Sequence, residues 1–480
     1  MDRGGVRKKC IRGPAALAKI ESASDNAGGT VLRKIEHLMA AAALMLVALD
    51  GVPIAHAVNP PVINPAALPP DTTGPDQPMT QRKVCAAPAV LPGTNFADPP
   101  WAADYLNLHR AHELVTGAGV TVAVIDTGVT PSARVPAQPG GDFVENGDGL
   151  TDCDAHGTLT AALIAGRAAP GDGFVGVAPG AKILSVRQSS EAFLPEHIHT
   201  DPADPNATKT AGSLRGLARA IVHAVNLGAG VLNISEAACY KATRAIDEAS
   251  LGAAVNYAVN VKNAVIVAAA ANTGADCAQN PAPDPAVPAD PRGWRTVRTV
   301  VSPAWYTPLV LSVGGIGPAG RPSGFSMSGP WVGVAAPAEQ VVALGYDGRP
   351  VNALHGADGP IPVTGTSFAT AYVSGLAALL RQRFPTLSAA QIINRITATA
   401  RHPGGGVDNA VGAGAIDPVA ALTWHVPAGP SQAPYPVRRI PPPARVLPPD
   451  HGPITGVVIA AGLLAALGIL GFATRRVLRR

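Results

Sequence analysis

Three side chains in this sequence have the types and settings of a nucleophile, a base and a group to hold the base: Ser367, His156 and Asp126. Asp126 ends the apolar run of TVAVIDTGV and precedes Gly128, which puts a carboxylate at the carboxyl end of a strand, where the sites of open α/β sheets gather. Taken alone, an aspartate there is equally a turn former or a helix cap. His156 stands in DCDAHGTLTAALIAG at the first turn of an Ala-rich helix, and alone it is equally a structural histidine, one of twelve. Ser367 opens a long helix in VTGTSFATAYVSGLAALLRQRF, just after Gly365, which permits close backbone approach. The helix N-terminus favours negative charge beside that hydroxyl, although Thr366 or Ser367 would also serve as a plain N-cap. A serine hydroxyl ionises far above neutral pH and needs a base before it attacks a carbonyl. The three segments thus carry the polar groups a hydrolase needs, each with an ordinary structural explanation when taken alone.

The elements that must position them are legible as alternating patterns. Val120 to Ile125, Ile183 to Val186, Val231 to Ile234 and Val265 to Ala269 are short, nearly all apolar runs, the signature of strands buried on both faces. Ser213 to Leu227, Leu251 to Val261 and Phe368 to Phe384 carry helical patterns. This alternation predicts one α/β domain, a doubly wound parallel sheet flanked by helices, over about residues 101–425. Two long polar insertions, 188–211 and 276–298, read as surface loops. Residues 58–100 are Pro-rich without helical or strand period and read as an extended arm tied down by Cys85.

Charge and hydropathy place the domain. The net charge of +4 conceals basic ends: residues 1–37 carry eight Lys/Arg against four Asp/Glu, residues 475–480 carry four Arg, and the stretch between sums to about −4. A mildly acidic body argues against nucleic-acid binding, which needs a basic face on the folded domain. Leu38 to Leu49 is apolar but too short to span a bilayer, and Ala55-His56-Ala57 follows as a small-x-small cleavage signal, so residues 1–57 read as a leader and signal peptide. Bacterial GTG and TTG start codons read as Val and Leu when internal, so Val31 or Leu32 is expected as an alternative translation start. Residues 454–473 are twenty residues without a charge, enough to cross a bilayer, and the Arg-rich tail at 474–480 predicts a cytoplasmic C-terminus by the positive-inside rule. The chain is thus expected to be single-pass, with its domain outside the cytoplasm and a Pro-rich stalk, 426–453, between domain and membrane.

Of five cysteines, Cys10 lies in the leader, and Cys85, Cys153, Cys239 and Cys277 make an even four in the exported part. Two disulfides with three possible pairings are expected. No HExxH or paired Cys/His spacing occurs, so no metal or other cofactor is expected. A carbohydrate-binding role finds no cluster of platform aromatics.

The order Asp, His, Ser, with GTSFA around the serine, resembles the subtilisin-like proteases. The likeness extends through GVAPGAKILSVR at 176–187, AAAANTG at 268–274 and FSMSGPWVGVAAPAEQV at 325–341, and so covers about Trp101 to Trp424. It implies Ser367 as nucleophile, His156 as general base and then acid, Asp126 as its orienting group, and Asn272 as side-chain donor to the oxyanion beside the Ser367 N–H. It also implies that the strand end at Ser235 and Glu236 binds substrate. The chain departs from most relatives where they carry glycine, at Ala162 and Ala271, and where Ala371 and Tyr372 replace Pro and His. Glu236-Ala237 stands where many relatives have a small residue and Gly, so narrowed substrate pairing and slower or more selective catalysis are expected.

Within that family the chain is most similar to the mycosins, membrane-anchored proteases of mycobacterial type VII secretion, by its signal peptide, Cys-tied arm, NISEAAC, GTSFA, Pro-rich stalk and Arg-tailed apolar segment. The likeness implies disulfides Cys85 to Cys153 and Cys239 to Cys277 and an arm that wraps the domain. It further implies secreted protein substrates and membership of a type VII secretion membrane complex, with a mainly structural role in that complex as the alternative to selective proteolysis.

Overall fold

The computed structural model describes residues 58–197, 211–274 and 276–435. The leader, the apolar segment at 454–473, the basic tail and most of the stalk lie outside the described residues. Among the described residues no helix is long and apolar enough to cross a membrane.

The centre is a seven-stranded sheet, all of it parallel. In chain order its strands are β1 (Thr121–Asp126), β2 (Ala137–Asp142), β3 (Lys182–Arg187), β4 (Val231–Ile234), β5 (Val265–Ala269), β6 (Val310–Ile316) and β7 (Val332–Pro337). In space they run β7-β6-β5-β4-β1-β3-β2. The chain builds one flank from β1 and then the other from β4, so the carboxyl ends of these two neighbours form the switch point at which ligands of doubly wound sheets bind. Both faces are covered, by α1 (His156–Ala165), α2 (Leu214–Asn226), α3 (Ala249–Asn256), α4 (Thr366–Arg383) and α5 (Ala389–Ala398), which is why the strands read as unbroken apolar runs. Ser213 caps α2 by accepting from Gly216 N, and Ser388 with Gln391 forms a capping box on α5.

Three strands carry no clean apolar signal. β2, AQPGGD, is an edge strand whose Pro and Gly an edge tolerates, and β6 and β7 are interrupted by glycines. The helical pattern at Leu251–Val261 resolves into α3 followed by a π-helical turn at Tyr257–Val261. The insertion at 188–211 is not wholly a surface loop: Gln188, Ser189 and Ser190 are buried at the end of β3, and Phe193–Pro195 forms a strand.

The arm gains its order by pairing with other segments. Met79–Gln81 runs antiparallel to Phe193–Pro195, and Pro88 and Ala89 pair with Leu354 and Ala353. Asp76 bonds Arg219 at 2.6 Å, and Asp71 bonds His223 at 2.6 Å, both partners on α2. Disulfides join Cys85 to Cys153 and Cys239 to Cys277. Near the end of the described chain, Tyr435 Oη donates to the Pro61 carbonyl at 2.7 Å, which ties the start of the stalk to the arm.

Candidate active site

Asp126 closes β1 fully buried, and its Oδ1 lies 2.7 Å from His156 Nδ1. The backbone N–H of Thr127 also donates to that oxygen at 2.7 Å. His156 opens α1, held against β1 by a small polar frame. Asp152 accepts from the Thr127 hydroxyl at 2.9 Å through Oδ1, and from the Thr158 N–H at 2.9 Å and hydroxyl at 2.6 Å through Oδ2. Thr127 Oγ1 in turn accepts from Gly157 N at 2.9 Å. A Cβ on Gly157 would collide with the Gly128 carbonyl, so glycine there allows the helix to start this close to β1. Burial pushes the Asp152 carboxyl up to about 6.

The imidazole is set by charge. Burial pulls its pKa down, but the Asp126 charge and hydrogen bond, with Glu236 and Asp152 behind them, push it up to about 9 from an ordinary 6.5. With Nδ1 committed to Asp126, Nε2 is the nitrogen left to exchange a proton. The ligand atoms of Asp126, His156 and Glu236 lie within 4.8 Å of one another, a spacing that would also suit a cation. The bond from Nδ1 to Asp126 leaves Nε2 free for acid–base chemistry.

On the facing side, Ser367 sits in the first turn of α4, and the ring of Phe368 lies 5.2 Å from the His156 ring, which puts the two helix starts side by side. Asn272 follows β5. Its Oδ1 accepts from Thr366 N at 3.0 Å and Thr366 Oγ1 at 3.1 Å. A methyl built on Gly365 would stand 3.4 Å from Asn272 Nδ2 and 3.7 Å from Ser367 Oγ, so the amide and the hydroxyl border one small space that a side chain at 365 would narrow. An oxyanion formed at Ser367 would meet the Asn272 amide there.

Sequence reasoning missed the polar link that seats α4 on the sheet. Ser374 Oγ donates to Asn233 Oδ1 at 2.9 Å, Asn233 Nδ2 donates to Ser235 Oγ at 2.8 Å, and Ser235 Oγ donates to the Ser367 carbonyl at 3.3 Å. The signal was present as one buried asparagine in the otherwise apolar VLNI. Ser235 and Glu236 both lie at the switch point beyond β4, Ser235 buried and Glu236 half-buried. Ala271 has φ 73°, the left-handed region that favours glycine, while Ala162 is buried in the core without such strain. Tyr372 is buried within α4, and burial pushes its phenol up.

The profile of the subtilase family matches residues 117–414, well over half of the chain. The chain belongs to the subtilase family. Within it, the chain falls among the mycosins. Mycosin-1 of Mycolicibacterium smegmatis is 68% identical over 438 residues, covering 91% of this chain and 97% of that one. Mycosin-1 of Mycobacterium tuberculosis is 68% identical, with 89% and 96% covered. The crystal structure of MycP1 from the ESX-1 type VII secretion system aligns with a TM-score of 0.78 at 69% identity, over 79% of this chain and 100% of that one. A chain of an intact ESX-5 inner membrane complex aligns with a TM-score of 0.74 at 47% identity, over 87% and 100%. This protein is therefore a mycosin-type serine protease with the subtilisin-like α/β fold.

Proposed function

We propose that this mycosin cleaves peptide bonds through Ser367, His156 and Asp126, outside the cytoplasm, as a component of a type VII secretion membrane complex. The observation that carries the catalytic part is the 2.7 Å bond between buried Asp126 and His156, beside a helix start where Ser367 and Asn272 share one space. Ser367 Oγ attacks the scissile carbonyl and its proton passes to His156 Nε2, while Asp126 holds the Nδ1–H and stabilises the imidazolium. Asn272 Nδ2 and the Ser367 N–H take the oxyanion. His156 then protonates the leaving amine, and water repeats the sequence on the acyl-enzyme. Ser235 and Glu236 line the path of the substrate strand. A fluorophosphonate probe should label the wild-type protein and leave Ser367→Ala unlabelled; a wild type that never labels would sink this reading.

The setting rests on the uncharged segment 454–473, whose Arg-rich tail favours the cytoplasmic side, with the peptidase domain at 101–425 held off the membrane by the stalk at 426–453. The relatives' place in ESX-1 and in an ESX-5 inner membrane complex supports an equivalent complex as partner and secreted proteins as substrates. The presence of a related chain within that whole assembly supports a structural contribution beside proteolysis. Secretion in cells carrying Ser367→Ala should exceed that in cells lacking the gene, and equal collapse in both would remove the structural role.

A further inference from the structure

A second carboxylate reaches the imidazole of the triad. Glu236 follows Ser235 beyond β4, and a Glu236 oxygen, an Asp126 oxygen and a His156 ring nitrogen all lie within 4.8 Å of one another. Acyl transfer by serine and histidine needs one carboxylate in this position, to orient the ring. The second adds negative charge to the same imidazole from the substrate side.

Among the described residues, the strongest charged influences on this carboxylate include no permanent cation. Besides His156, the charged groups acting most strongly on the pair among the described residues are Asp126 from β1, Asp152 from the loop before α1, and Glu191 from the segment after β3, all acidic. Glu236 also forms part of the wall of a cleft of about 300 Å³ with Glu191 and Asp276, and no Lys, Arg or His lines it among the described residues. Burial and the Asp126 charge raise the Glu236 carboxyl, against the pull of His156 and the nearby Ser189 hydroxyl. A resting site built this way stabilises imidazolium, and imidazolium cannot take the serine proton.

We propose that Glu236 is a positioning and specificity-determining residue: it holds His156 protonated and idle until a lysine or arginine side chain of the substrate enters the cleft and pairs with the carboxylate. The proposal rests on the triad roles given above. A substrate cation beside Glu236 cancels its pull on the ring, so the unprotonated base is about tenfold more available near neutral pH when such a substrate is bound. A neutral side chain in the same place leaves the carboxylate unpaired as the site closes, which is how polar sites reject isosteres strongly.

The test uses the detergent-solubilised full chain and two readouts. The rate of fluorophosphonate labelling is measured from pH 5 to 10 for wild type, Glu236→Gln and Glu236→Asp. Wild-type labelling should rise to a midpoint near 9, set by His156. Glu236→Gln should move that midpoint down by about one pH unit and label about tenfold faster at pH 7, with Glu236→Asp staying near wild type. A midpoint that does not fall in Glu236→Gln overturns the proposal. In the second readout, fluorogenic peptides carry lysine or norleucine at each of the three acyl-side residues in turn. Wild type should prefer lysine at one of them by about tenfold or more in kcat/KM, and Glu236→Gln should lose that preference. No lysine preference in wild type, or one that survives in Glu236→Gln, also overturns it. A wild type that labels at no pH counts instead against the triad roles, so the two failures are distinguishable.

Discussion

The two sides of the catalytic crevice are held by different means. On the nucleophile side, Ser367 and Asn272 are fixed by neutral hydrogen bonds and by closeness of backbone: Asn272 to Thr366, Ser235 to the Ser367 carbonyl, Asn233 to Ser374. On the base side, His156 is fixed and tuned by charge, with Asp126 bonded to it and Glu236 and Asp152 acting through space. The difference separates two kinds of defect. On the proposed mechanism, a change on the nucleophile side removes a donor or an attacking atom and lowers the rate at every pH. A change on the base side alters the charge around an imidazole, and so moves the pH at which the enzyme works as well as how fast.

Asp126→Asn should have the larger effect, about 10⁴ in kcat, because the ring loses the tautomer it needs. The same substitution removes the opposite charge that raises the His156 pKa, so the acid limb of the pH–rate profile should move to lower pH, as a pH series of hydrolysis would show. Asn272→Ala should cost about 10² to 10³ in kcat. Its acid limb should stay where wild type has it, and a displaced limb would show that the neutral side is coupled to the charge after all. Smaller effects lie outside the crevice. Cys85→Ser should lower stability by about 2–4 kcal/mol in denaturant unfolding, since it opens the crosslink between Cys85 and Cys153. The pH limb should again be unmoved. Ala271→Gly should raise stability by about 0.5–1 kcal/mol, the left-handed penalty relieved less the added freedom of glycine.

Much of this division was legible in the sequence. Asp126, His156 and Ser367 stand in motifs whose order is informative even though each residue alone has an ordinary structural explanation. The strands β1, β3, β4 and β5 were legible because burial on both faces leaves them almost purely apolar. β2, β6 and β7 were not, because their glycines and prolines serve edges and close approaches that depend on neighbours not visible in a local window. The arm looked structureless for a related reason. Its strands of two and three residues are too short to show alternation, and its tethers are single partners far along the chain, such as Asp76 to Arg219. The Asp152, Thr127 and Thr158 frame and the Asn233 link belong to the same class, since a polar residue in a motif does not reveal which distant group it satisfies. Glu236 was legible as a departure at the substrate strand, while its closeness to His156 came only from the way β1 and β4 lie side by side.

On the proposed mechanism Ser367 is the nucleophile, and a base held by negative charge activates it. Mapping the fluorophosphonate adduct by peptide mass spectrometry, after brief exposure at a series of pH values from 6 to 9, tests this most directly. The predicted result is a single adduct on Ser367 whose rate of formation climbs by up to about tenfold per pH unit below the His156 midpoint near 9. An adduct on another residue, or a rate on Ser367 that is flat across this range, would contradict it.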